Sequence, residues 1–585
     1  MITAGMHKKR GGVDKQWLIS PLDSRRDQLA HSLKISPVVA QVLINRGIVD
    51  IHQAAAFLRP RLTELIPPNR MPGVAKAVER IKTAILQKEK ITVYGDYDVD
   101  GITGISILWH LIQILGGSVD YYIPHRVDEG YGLNREAVES LVREGTQLLI
   151  TVDCGITAVD SAKLAKELNL DLIITDHHRP GPELPQAVAI VHPALDKTYP
   201  NQDCSGAMVA YKLAWALAEA FSTGQKLDAS LREFMLNATS LAAVGTIADV
   251  MDLKGENRIL TSYGLKSLAE CKLSGVKALI ETAGLTGEGL DSYDIGFRLA
   301  PMLNAAGRMG HARLAVELLT SDNDARSLNI AEYLKQQNEL RRRCERKIFQ
   351  QACEMITHRQ LNHPDRKSIV LACPDWHVGV IGIVASRIVD KFHRPTILLN
   401  NSEPLAQGSG RSVEGFDLLA GICSCSAHLT NFGGHAMAAG VRIPADKIEQ
   451  FALDFESYVT DNLLDQILTT QVHIDAESPL EHFSHDTVRQ LQLLGPFGQG
   501  NPKPLFVTKG VKLAAQPRRV GARSDHLQIA VTDNTNSIRC IGFGMGKLEK
   551  KLLENECFHV AYEPDINHFN GSSTVQLVLS DIQFD

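Results

Sequence analysis

The chain has 585 residues, 44% hydrophobic and 22% charged, which excludes a single hydrophobic core and a disordered protein alike. A net charge of −6 and a pI near 6.4 exclude bulk attraction to a polyanion, so any nucleic-acid site must be a local basic channel. Ten cysteines without a CxxC pair argue against a disulfide framework and a zinc finger, and fit a reducing compartment.

His7-Lys-Lys-Arg10 is followed by no apolar stretch, so no signal peptide is expected and the cytoplasm is the expected location. Residues 1–70 read as an N-terminal helical segment broken at Pro60 and Pro67-Pro68. The β-branched run Ile91-Thr-Val then leads into Tyr94-Gly-Asp-Tyr-Asp-Val-Asp-Gly101. If the run continues as a strand, Asp96, Asp98 and Asp100 share one face. Carboxylates crowded in this way repel unless a cation holds them, and oxygen donors suit Mg²⁺ or Mn²⁺. The uncharged stretch Gly101–Val119 approaches the length of a membrane span, but Gly104, His110, Gln113 and Gly116-Gly117 predict a buried helix instead.

Further strands are predicted at 117–124, 147–152, 170–175 and 187–191, alternating with helices over 133–144 and 158–168. That alternation predicts an α/β domain with a doubly wound, mostly parallel sheet. Ligands of such sheets bind outside the carboxyl ends of the strands, where Asp153 and Asp176-His177-His178 would join the acidic cluster. Residues 205–300 read as mostly helical. Within them Asp249 interrupts the apolar run Ala243-Val-Gly-Thr-Ile-Ala, a costly place for a carboxylate unless a cation partners it. A polar helix over 321–362 carries Arg341-Arg-Arg343 and would bridge domains. A second α/β domain follows over 363–462. Its Gly408-Ser-Gly-Arg411 and Gly433-Gly-His435 place backbone N–H groups and polar side chains where an anion would sit. Residues 463–585 show short strands separated by turns, the pattern of a small barrel, with Arg518, Arg519 and Arg523 in one loop.

Four segments in this order resemble the motifs of the DHH phosphoesterase family: Gly-Asp-Tyr-Asp-Val-Asp-Gly, Thr-Val-Asp-Cys-Gly, Asp-His-His and Val-Gly-Thr-Ile-Ala-Asp. Later segments extend the resemblance over residues 70–585, to the family's branch of single-strand-specific 5′→3′ exonucleases. They are Asn304-Ala-Ala-Gly-Arg308, Trp376-His-Val-Gly, Gly408-Ser-Gly-Arg-Ser412, Gly433-Gly-His435 and Pro496-Phe-Gly-Gln-Gly-Asn-Pro502. The resemblance implies a DHH catalytic domain over 71–320, a connecting helix over 321–362, a DHH-associated domain over 363–462 and an OB-like nucleic-acid-binding barrel over 463–585. It implies two Mn²⁺ or Mg²⁺ ions held by Asp98, Asp100, Asp153, His177 and Asp249, with Asp96 assisting. His178 would contact the scissile phosphate. Arg308, His377, Ser409, Arg411 and His435 would hold substrate phosphates.

The implied reaction is hydrolysis of single-stranded DNA to 5′-mononucleotides in recombination and repair, alongside single-strand-binding protein and a helicase, with no membrane partner. The alternatives are a DHH nuclease of oligoribonucleotides or cyclic dinucleotides, and an inactive replication scaffold. Three departures from the family pattern stand out. Tyr94 occupies a position where the wider family often has a metal-binding His, Met302 one where Arg is common, and His192 one where Asn is common.

Overall fold

A computed structural model describes residues 16–125, 129–130, 132–222, 224, 226–287, 289–463, 471–569 and 572–584. His7–Arg10, and the start of the C-terminal tail expected near 465, lie outside the described residues. Two compact units make up the chain. One contains Ser20–Asn338 and Ile474–Asp585, and the other contains Glu339–His473 with the strand Gln16–Ile19.

The larger unit is built on a five-stranded sheet, parallel throughout. Its spatial order is Ser118–Tyr122, Lys90–Gly95, Leu148–Val152, Asp171–Thr175, Ala189–Val191. Leu148–Val152 is buried at every position, as a central strand covered on both faces must be. The uncharged stretch after the first strand forms the helix Val99–Ile114, packed among other helices. Its Ile102, Ile105, Leu108, Leu111 and Ile112 are fully buried. Each such side chain contributes roughly 1.5–3 kcal/mol, which outweighs about 1 kcal/mol for each of the two helix glycines. No helix among the described residues is long and apolar enough to cross a membrane.

Residues 474–585 form a seven-stranded sheet from Ala476–Glu477 to Arg518–Val520, with a further pairing of Lys512 to Thr532 that draws the sheet into a ring. Phe558–Phe569 and Ser572–Gln583, each twelve residues long, pair as a hairpin and exceed the short strands read from sequence. The N-terminal helices do not stand alone. Leu29, Val39 and Leu43 share one core with Phe506, Phe558 and Leu577. Arg518 and Arg519 lie in a strand rather than a loop, and Arg519 Nε is 2.7 Å from Glu549.

The smaller unit holds a mixed five-stranded sheet ordered Asn431–Gly434, Ala438–Pro444, Leu405–Arg411, Thr396–Asn400, Ile369–Ala372. The helix Asp324–His358 belongs to both units. Its first half gives Ile330, Ala331 and Leu334 to the core of the larger unit, and its second half gives Ile348, Ala352 and Ile356 to the core of the smaller unit. Arg341, one of its basic run, is buried and bound to Glu345 at 2.9 Å, so it is held internally.

Candidate metal centre

The acidic motif converges by a route the alternation of a strand does not describe. The strand stops at Gly95, and Asp98 is already the N-cap of Val99–Ile114, its Oδ1 accepting from Asp100 N at 2.9 Å and Gly101 N at 3.2 Å. The three carboxylates therefore meet across a tight turn rather than along one strand face. Gly101 makes the turn feasible, because a Cβ there would fall 2.5 Å from the Asp96 carbonyl oxygen. Asp96 and Asp100 are buried, and Asp96 Oδ1 accepts from Tyr97 N at 2.8 Å.

Asp100 carries a negative charge into a site 1% exposed, which needs compensation. The N-terminus of Gly206–Phe221 supplies it. The amides of Gly206 and Ala207 both donate to the Asp100 carboxylate, the latter at 3.0 Å. Asp153, directly after its strand, adopts φ 60°, a left-handed backbone unusual for a residue with a side chain. Asp249 ends the helix Ala229–Ala248 as its C-cap.

His177 joins these groups. Its Nε2, buried and without a hydrogen bond, lies 3.0 Å from Asp153 Oδ1, 3.6 Å from Asp249 Oδ2 and 3.9 Å from Asp100 Oδ2. Burial, followed by the charge of His178, pushes its pKa down to about 4, so the ring is neutral and offers a lone pair. His178 behaves in the opposite way. Burial works against its charge, but the bond from Nδ1 to Asp176 Oδ1 at 2.8 Å prevails and raises its pKa to about 8.

Atoms able to ligate a metal fall into three compact groups, each within 4.8 Å: Asp153/His177/His178, Asp100/His177/Asp249 and Asp96/Asp98/Asp153. Burial and then mutual repulsion raise Asp153 well above the carboxylate range, Asp100 to about 7 and Asp249 to about 8. Five carboxylates and a neutral imidazole form a hard donor set that divalent cations would relieve of this repulsion. Cys154, the one thiol beside Asp153, is driven by burial far above the range in which it ionises, so a thiolate site for a soft metal is unsupported.

Tyr94 points elsewhere. It is fully buried, stacks on Tyr122 with centroids 5.3 Å apart, and donates from its hydroxyl to Gly132 O at 2.8 Å. Met302 sits in the apolar core, 3% exposed. His192 has a local role. It is buried, with Nε2 2.8 Å from the carbonyl oxygen of His178 and Nδ1 accepting from Ala194 N at 3.1 Å.

Sequence reading misses the groups that hold the ligands. Asp176 appears there only as part of a motif, yet its carboxylate accepts from the amides of Ile156, His177 and His178 as well as from the His178 ring. Gly245 is missed as well. A Cβ there would stand 2.5 Å from Asp100 Oδ1 and 2.6 Å from Ala207 Cβ. Gly245→Ala should therefore displace Asp100 and weaken Mn²⁺ binding about 10- to 100-fold, as losing an outer-shell support does. Unchanged affinity in a folded Gly245→Ala protein, measured by calorimetric titration, would show that Asp100 is not held from this side.

The proposed phosphate ligands divide between the units. Arg308 ends Ala300–Arg308, and its neighbour Gly307 lies against the Tyr97 carbonyl, beside the acidic turn. In the smaller unit Arg411 Nη1 donates to Ser409 Oγ at 3.0 Å, and the two residues lie opposite Ala438 and Gly440 on the next strand. The helix Val378–Phe392 packs on them at Gly382, where a Cβ would be 2.9 Å from Ser409 Oγ. His377 caps that helix, accepting from Gly379 N at 3.1 Å, and is exposed. His435 is exposed in the turn where Gly434 pairs with Ala439.

Three domain families match the chain: the N-terminal domain of the DHH family over residues 90–239, the DHHA1 domain over 365–461 and the RecJ OB domain over 474–581. The chain is 37% identical over 570 residues to the single-stranded-DNA-specific exonuclease RecJ of Bacillus subtilis, covering 97% of this chain and 70% of that protein. It is 34% identical to the RecJ of Haemophilus influenzae, covering 96% of this chain and 98% of that one. The crystal structure of Thermus thermophilus RecJ with Mn²⁺ superposes with a TM-score of 0.82 at 31% identity, covering 97% of this chain and 79% of that one. Whole-length identity at this level, with all three domain families in one order, places the chain in the RecJ family of DHH phosphoesterases.

Proposed function

We propose that the protein is a metal-dependent exonuclease specific for single-stranded DNA, working 5′→3′ and releasing 5′-mononucleotides in recombination and repair. The observation that carries this reading is the gathering of Asp96, Asp98, Asp100, Asp153, Asp249 and neutral His177 at one sheet edge. Asp98, Asp100, Asp153, His177 and Asp249, assisted by Asp96, would hold two divalent ions. When bound, such ions lower the pKa of a water and neutralise charge on the leaving oxygen.

The chain's own groups do the rest. Asp176 holds His178 by Nδ1, so that the ring would donate from Nε2–H to a phosphate oxygen as charge develops on it. Arg411, steadied by Ser409, offers a planar fork of donors for a substrate phosphate, with His377 and His435 of the same unit as further donors, while Arg308 is a separate candidate donor in the larger unit. The ring of strands in 474–585 is the kind of surface that binds single strands. A cytoplasmic location, and work beside single-strand-binding protein and a helicase, complete the proposal.

The test is release of labelled mononucleotide from a 5′-labelled single strand with Mg²⁺ or Mn²⁺, beside a 3′-labelled strand, duplex DNA and RNA. Early release from the 5′ label alone is the expected result. Absence of turnover with both metals would favour the scaffold alternative, and preference for RNA dinucleotides would favour the oligoribonuclease.

A further inference from the structure

The segment Pro496-Phe-Gly-Gln-Gly-Asn-Pro502 has no part in the site as described, yet it is densely hydrogen-bonded. It closes on itself through Gly498 and Asn501, whose backbones exchange hydrogen bonds of 2.9 and 3.1 Å. The Asn501 side chain donates to Leu494 O at 2.9 Å and Pro496 O at 2.7 Å, and accepts from Arg46. Asn501 is 1% exposed, so these bonds are made away from water.

This rigid loop is applied to the residues that follow Asp249. After the helix ends, Val250 takes φ 58°, a left-handed turn closed by the helix itself, with Val250 N donating to Ile247 O and Met251 N to Thr246 O, each at 3.2 Å. The next residues are the ones held. Leu253 N donates to Gln499 O at 2.8 Å, and a Cβ on Gly498 would touch Leu253 Cδ1 at 2.8 Å. Gly500, at φ 69°, lies so close to Asp252 that a Cβ would fall 2.6 Å from its carboxylate carbon. Buried Arg258 adds donors to Leu494 O at 2.8 Å and Leu493 O at 3.1 Å. The barrel-side loop thus grips the chain three to nine residues beyond a site carboxylate.

We infer that the loop 496–502 is a positioning element for Asp249, and that through it the C-terminal domain sets the affinity of the metal centre. The inference rests on the metal-centre reading above. Gly500→Ala, which pushes on Asp252 and strains the φ 69° backbone, should raise the Mn²⁺ dissociation constant about tenfold, with kcat at saturating Mn²⁺ within about threefold of the parent. Binding is read by the electron paramagnetic resonance of free Mn²⁺ on full-length protein without DNA.

Val531→Ala, a core truncation in the same barrel away from the loop, is the control for general destabilisation and should leave Mn²⁺ affinity unchanged. Asp249→Asn separates the two hypotheses. If it leaves Mn²⁺ binding intact, the metal-centre reading itself fails. If it weakens binding while folded Gly500→Ala does not, only the role of the loop fails. Equal weakening by Val531→Ala and Gly500→Ala would also overturn the inference.

Discussion

Asp153→Asn is expected to abolish hydrolysis, by at least about 10³-fold in kcat, while the protein still binds single-stranded DNA. Asp153 belongs to two of the three ligand groups and lies 3.0 Å from His177, so no other carboxylate has its reach. The substitution keeps shape and removes charge. Asp153 is 2% exposed and is repelled by Asp100, Asp98, Asp96 and Asp249. The variant should therefore melt higher than the parent in the metal-free state, by about 1 °C for each kcal/mol of repulsion relieved. Gain of stability with loss of activity is the mark of a site strained for function, and a merely structural Asp would show the reverse. Full activity, or a lower metal-free melting temperature, would remove Asp153 from the centre. Gel-shift titration with labelled single strands checks the binding half.

Much of this candidate site was legible because the residues proposed as ligands follow strands. Apolar runs such as Gln147-Leu-Leu-Ile-Thr-Val152 announce buried parallel strands, and a polar residue directly after one falls at the edge where ligands bind. That rule reaches Asp153 and His177 without any knowledge of packing. It misdescribes Asp98, which ends up capping a helix, because the strand stops at Gly95 before reaching it. The supports of the site were not legible, since they are backbone groups or missing atoms. The amides of Gly206 and Ala207 serve Asp100 only after a helix from a hundred residues later has docked, and Gly245 matters for the side chain it lacks. Ser205 before Gly206 does signal a helix start, with its Oγ accepting from Met208 N, but not what that start faces. Tyr94 and Met302 show the converse, positions that attract attention through a family pattern and prove to be core.

Thermal stability should depend on metal and pH together. In the metal-free protein folding raises Asp100 to about 7 and Asp249 to about 8 from an ordinary 3.8, and raises His178 to about 8 from 6.5. Groups raised in this way favour the folded state at low pH, and their contribution is lost as pH climbs through the folded values. His177, lowered to about 4, acts in the opposite sense but only below its ordinary 6.5. Between pH 6.5 and about 8.5 every one of these shifts therefore points to falling stability, on the order of a few kcal/mol in all. Divalent ions reverse the slope, because they bind ionised carboxylates and neutral imidazole and stabilise the fold by mass action. Calorimetry with chelator should show the first transition dropping several degrees across that window. With millimolar Mg²⁺ it should hold level or rise, so the metal-induced shift is largest at the alkaline end. Asp249→Asn, which removes one of the titrating groups, should flatten the metal-free slope. A metal-free transition that stays level from pH 6.5 to about 8.5, or a Mg²⁺ shift no larger at the alkaline end, would mean that the clustered carboxylates do not repel one another in the folded protein.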